Sequence, residues 1–191
     1  MPRYTKEHKQ ATRRRIIETA GQRFKQDGVD GSGVATLMAD AGLTNGAFYA
    51  HFDSKDDLVA TVVGEELNRQ AESFKAMKPG GDGLAQFVRE YLSAEHRDNP
   101  GLGCPSAALL DEISRCGDAT KQAYTAGAQA IVDEIAIRLA PQDRRSARRT
   151  ALALFTMLVG TLQLSRAVAD EKFADQVLTQ GRKTALDMLA S

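Results

Sequence analysis

The 191-residue sequence has no run of eighteen apolar residues, so no segment carries the simple pattern of a membrane-spanning helix. Its first residues, Met-Pro-Arg-Tyr-Thr-Lys-Glu-His-Lys, lack the apolar stretch of a secretory signal. Cysteine is scarce, with two in the chain. Without a secretion signal these are expected to be reduced thiols in a cytoplasmic protein. Strand-like alternation of apolar and polar residues is missing. GxxxxGK[ST], HExxH, GxSxG and CxxC are all absent. His8, His51 and His96 are too scattered to suggest a shared metal. The expectation is a protein that is not an enzyme, with no catalytic residues, no metal and no cofactor.

Net charge is also lacking, since 25 basic residues balance 25 acidic ones. The distribution is uneven, however. Residues 1–25 hold Arg3, Lys6, Lys9, Arg13, Arg14, Arg15, Arg23 and Lys25 against Glu7 and Glu18, a net of +6, and the remainder carries −6. A basic head on an acidic body is what a chain needs if only one end meets phosphate. A Lys/Arg run is equally compatible with a solvated helix face.

What is present is helical period almost throughout, predicting an all-α fold of about nine helices. Ile16, Ile17, Ala20 and Phe24 share one face of the first, which Asp27-Gly28 ends. Val34, Leu37, Met38 and Ala41 mark a short second helix with Ser32 as its N-cap. Gly42-Leu43 turns the chain, and Thr44 caps a third helix running to about Phe52. Ser54-Lys55-Asp56-Asp57 reads as a capping box in which Asp57 reaches back to the Ser54 amide. It opens a long fourth helix that ends at Pro79-Gly80-Gly81-Asp82-Gly83, the clearest linker. Leu84, Phe87, Val88, Tyr91 and Leu92 define the fifth. Asn99-Pro100-Gly101 interrupts before helices over residues 104–116, 118–140, 146–168 and 173–189.

The stretch at residues 32–58, SGVATLMADAGLTNGAFYAHFDSKDDL, can be read chemically. Two short helices joined by a glycine turn can present the second to the major groove. Asn45 has the amide for a bidentate pair with adenine. Thr44 and Ala47 are small enough to meet base edges, and Gly46 permits close approach. Tyr49 and His51 carry polar tips able to reach phosphates, though an aromatic or lone histidine can equally serve the core. Lys55 stands at a helix N-terminus, where phosphate is favoured. Arg13, Arg14 and Arg15 can hold flanking backbone. Phe48 and Phe52 read as core.

This stretch resembles the DNA-binding domain of the TetR/AcrR family of repressors, with Ala41-Gly42, Thr44, Gly46, Tyr49, His51-Phe52 and Lys55 at family positions. Gly33 and Met38 depart from the family pattern in the second helix. The resemblance implies phosphate or base contacts at Arg13, Arg14, Ser32, Thr36, Thr44, Asn45, Gly46, Ala47, Tyr49, His51 and Lys55. It divides the chain into a DNA-binding domain at 1–56 and a ligand-binding and dimerisation domain at 57–191. It implies a cytoplasmic homodimer that binds double-stranded operator DNA and a small-molecule effector, with no membrane partner. An activator, a ligand-independent DNA-binding protein, and a scaffold or enzyme with a vestigial motif are the alternatives.

Leu154, Leu158, Leu162, Val177, Ala185 and Leu189 are expected to form the dimer interface in the last two helices. Gly160 would allow close helix approach, or be there by chance. Phe87, Tyr91, Cys104, Leu109, Tyr124 and Met157 are the expected lining of an apolar or electrophile-sensing effector pocket, although each is equally a core position. Cys104 and Cys116 lie about 18 Å apart along one helix, too far for the ~7 Å Cα separation of a disulfide. Cys104 precedes Pro105 and is expected to be an N-cap, where a thiol is acidified. The resemblance adds that some members sense electrophiles with a cysteine in this region. An ordinary small residue in a loop is the alternative.

Overall fold

A computed structural model describes residues 6–77, 81–140 and 142–190. Arg3, Pro79, Gly80 and Pro141 therefore lie outside the described residues. Among those described, the elements are all helical: α1 (Lys6–Asp27), α2 (Val34–Asp40), α3 (Asn45–Phe48), α4 (Lys55–Ala76), α5 (Gly81–Tyr91), α6 (Ala94–Asp98), α7 (Pro105–Arg115), α8 (Asp118–Leu139), α9 (Arg144–Ala167) and α10 (Glu171–Ala190). A 3-10 turn, Pro100–Leu102, joins α6 to α7. The sequence reading lacked α6. Its five residues are too few for a period, and none is buried; Ser93 caps it by accepting from the His96 N–H at 3.1 Å. The linker is also shorter than expected, because Gly81 already opens α5.

The first three helices close around Ile16, Ile17, Phe24, Leu37, Met38, Phe48 and Phe52, all at most 2% exposed. Arg23 ties α1 to α2, donating to Asp27 at 2.6 Å and Asp40 at 2.7 Å. The turn after α2 is a Schellman motif: Leu43 N–H reaches the Met38 carbonyl at 2.8 Å and Gly42 N–H the Ala39 carbonyl at 2.9 Å. Gly42 has φ +64°, where a side chain would be strained.

The core continues without a break into the body, where α4 packs chiefly on α8, α8 on α9 and α9 on α10. Ser54 caps α4 by accepting from Asp57 N–H, but the Asp57 carboxylate accepts from Asp53 N–H at 3.1 Å, one residue before the expected Ser54 amide. Arg166, near the end of α9, donates to the carbonyls of His96 (2.6 Å), Arg97 (3.0 Å) and Ala107 (3.2 Å). One guanidinium thereby holds the irregular segment between α5 and α7 against the body.

Candidate nucleic-acid interface and effector cavity

The turn geometry sets α3 on the surface with one face inward. Phe48 is buried, stacking edge-on against Tyr49 at 5.2 Å and tilted against Phe52 at 5.7 Å. Thr44, Asn45 and Gly46 are exposed at the N-terminal end of α3, and Tyr49 is 69% exposed just past its end. Thr44 is the N-cap by backbone geometry, although its hydroxyl makes no capping bond. The helix is shorter than expected: it stops at Phe48, and turns carry the chain to His51. Thr36 is exposed on α2, while Ala47, His51 and Lys55 are half-buried.

Four of the expected positions make contacts within the subunit. Ser32 is 2% exposed and donates to the Gly28 carbonyl at 2.9 Å, so Gly33 is the N-cap of α2 and the Ser32 hydroxyl is spent inside. Arg13 pairs with Glu65 at 3.3 Å and lies 4.8 Å over the Phe52 ring, which fixes α1 to α4. Arg14 is looser, 3.9 Å from Glu18 with a 74% exposed side chain. The ring of His51 has a buried Nδ1 without a partner, and burial, then Lys9 and Arg13, lower its pKa.

The expected dimer residues divide. Leu154, Leu158, Leu162 and Ala185 are at most 1% exposed within one subunit, so they belong to its core; Val177 and Leu189 are half-buried. The exposed face of α9 instead carries Leu152 (47%), Thr156, Gly160 and Leu164 (49%). Nothing in the subunit approaches the position of a Gly160 side chain. By length and hydropathy α9 is the one helix among the described residues apolar enough to cross a membrane, yet only 39% of that stretch is buried. Its apolar residues supply two faces, and the subunit uses one.

A cavity of about 390 Å³ opens where α1, α4, α5 and the 96–105 segment meet. Phe87, Tyr91 and Cys104 line it as expected. Leu109 is core, Met157 packs on the core, and Tyr124 donates to the Ser106 hydroxyl at 3.2 Å; none of the three lines this cavity. Cys104 does cap α7 with Pro105 behind it, but its thiol is buried and donates to the Gln70 side-chain oxygen at 3.4 Å rather than standing open at the helix end. Sequence reasoning missed the Lys25–Glu66 pair on the cavity floor, as well as Gln70 and His96.

Residues 16–62 match the profile of bacterial regulatory proteins, tetR family. The regulator AcrR of Shigella flexneri is 38% identical over 100 residues, covering 48% of this chain and 43% of the relative. The regulator TtgR of Pseudomonas putida is 38% identical over 87 residues, 42% of this chain and 41% of the relative. The likeness in sequence to tetR-family regulators thus lies in the N-terminal half of the chain and centres on the α2–α3 unit. These matches span well under half the length of the curated relatives. Over the whole chain the likeness is one of fold alone. Reduced NemR of E. coli superposes with a TM-score of 0.77 at 17% identity, covering 92% of this chain and 95% of that one. FadR of Bacillus subtilis, solved with stearoyl-CoA, gives 0.66 at 17% identity over 93% and 97%.

Proposed function

We propose that this chain is a sequence-specific DNA-binding transcription regulator, a repressor released from its operator by a small molecule, rather than an enzyme. The observation that carries the reading is the exposed row Thr44, Asn45, Gly46 and Tyr49, held outward by the buried Phe48 and flanked by Lys55 and the basic α1. An amide and small residues at a helix start suit base edges in the major groove. Thr36, Ala47, His51 and Arg14 are its outer contacts. Ser32 supports the unit from inside instead of touching DNA, while Arg13, tied to Glu65 but 39% exposed, stays within reach of the flanking backbone. Residues 1–56 would read DNA, and 57–191 would hold the effector and the dimer contact, in the cytoplasm where the DNA is.

The chain acts as a homodimer through the outer face of α9 with α10. Leu152 and Leu164 stand exposed there, and Gly160 between them leaves room for a second helix. The effector site is the cavity at Lys25, since one residue of α1 forms part of its floor. FadR holds stearoyl-CoA, and its fold likeness supports a ligand role for the helical body. Electrophilic effectors are a weaker fit, given a buried Cys104 thiol.

Selection of bound sequences from random duplex DNA tests the reading. A pseudo-palindrome with two half-sites at least one helical turn apart is the expected product. Recovery of no preferred sequence overturns it.

A further inference from the structure

The lining of the cavity at Lys25 selects a chemical class of ligand, an inference that rests on the effector reading above. One wall is aromatic. Phe74, Phe87, Tyr91 and His96 follow one another with ring centroids 4.7, 5.4 and 4.7 Å apart, tilted or edge to face, and the last three border the cavity. Such a wall favours a flat ring.

Charged side chains also border the cavity, the exposed Arg69 and Glu90 at its edge and the buried Lys25 and Glu66, which already answer each other. Lys25 pairs with Glu66 at 2.7 Å, both side chains being less than a tenth exposed, and also donates to the Gly103 carbonyl at 3.2 Å. The second Glu66 oxygen lies 3.8 Å from Arg69. His96 is fixed as a neutral ring, donating from Nδ1 to the Tyr91 carbonyl at 2.8 Å and accepting at Nε2 from the Cys104 N–H at 3.0 Å. An ionised ligand would enter a site with no buried charge to answer it, and would be stripped of water without return.

One buried group does lack an answer. The Tyr91 hydroxyl, 5% exposed as a residue, has no oxygen or nitrogen partner and meets only the Cys104 thiol, a weak acceptor that gives its own hydrogen to Gln70. Gln70 closes the same end through its contact with the Cys104 thiol. A buried hydroxyl left unpaired carries its full desolvation penalty, which an incoming acceptor removes.

We propose that this cavity binds an uncharged, flat aromatic molecule bearing a single oxygen acceptor, of the aryl ketone type. The ring packs on Phe87 and Tyr91. The carbonyl accepts from the Tyr91 hydroxyl once Gln70 swings aside.

Calorimetry with the full chain tests this with three probes of one shape: 2-acetylnaphthalene, 2-ethylnaphthalene and 2-naphthoate. The ketone should bind at least tenfold more tightly than the carboxylate. Tyr91→Phe keeps the ring and should weaken the ketone about two- to tenfold while leaving the hydrocarbon unchanged. The proposal is overturned if the carboxylate binds as well as the ketone, if none of the three binds, or if Tyr91→Phe leaves ketone affinity intact. Should that variant not fold, the ranking of the three probes on the native chain decides. Operator binding is read separately. A ketone that binds through Tyr91 without weakening DNA binding upholds the ligand class and refutes the effector reading, whereas release by other compounds with no ketone binding does the reverse.

Discussion

Lys25, near the end of α1, and Glu66, midway along α4, form a 2.7 Å ion pair with only 6% and 8% of their side chains exposed. A charge contributed by the basic N-terminal helix is thereby neutralised inside the molecule, at the floor of the cavity. Removing one partner strands the other. Lys25→Met should cost about 3–5 kcal/mol in urea unfolding, while the double replacement Lys25→Met/Glu66→Leu should recover most of that loss. Equal stability of the single and native proteins would show that water already reaches the pair.

Asn45→Ala should weaken binding to the selected DNA by about 1–3 kcal/mol and relax the preference at one base pair. Competition with single-base variants of the site measures both. If affinity and preference both persist, Asn45 does not touch the bases.

Lys55→Ala should weaken all sequences alike and lower the slope of log K against log salt by about 1, as loss of one phosphate contact requires. Tyr49→Phe should also act without regard to sequence, with no change in slope. A shift in preferred bases on replacing Lys55 would contradict the assignment.

Glutamate at both Leu152 and Leu164 should give a folded monomer by sedimentation, because these side chains are half exposed in the subunit. Leu158→Glu should instead unfold the chain, since a charge would enter the core without a partner. A folded dimer from the first variant would move the interface elsewhere.

His96 makes stability depend on pH. Burial lowers its pKa from 6.5; the Tyr91 carbonyl opposes this, and Arg166 on α9 and Lys25 on α1 add to it. Below about 6.5 the unfolded chain takes up a proton that the folded chain refuses, so stability should fall as pH drops from that value toward the lower folded one. His96→Gln should flatten this fall in denaturation midpoints between about pH 7.5 and pH 5. Some slope should remain, since His51 is shifted in the same direction.

Local signals were legible in the sequence. The apolar period fixed the long helices, Gly42 marked the turn, and the spacing from Thr44 to Lys55 marked the exposed unit. What escaped it depends on partners distant along the chain. Lys25 was counted with the basic head because nothing near it in sequence points to Glu66. Leu154, Leu158 and Leu162 form one apolar face, but periodicity cannot say whether a face meets its own subunit or another. Here α8 and α10 cover it. Ser32 had the right chemistry for a cap, yet its backbone places it one residue early and its hydroxyl turns to Gly28.

Arg166 gives the 96–107 segment a particular kinetic character. Up to the start of α7 the segment has only a five-residue helix and a 3-10 turn of its own, and it is held by Arg166 on α9, by Lys25 on α1 through the Gly103 carbonyl, and by the Arg97–Asp175 pair to α10. Such a segment has little cooperativity by itself, so it opens only when the last turn of α9 lets go together with the ties to α1 and α10. Amide exchange in the segment and in that turn would then follow a common opening event. The rate of entry to the cavity would be set by how often these ties release together, not by the motion of a surface loop.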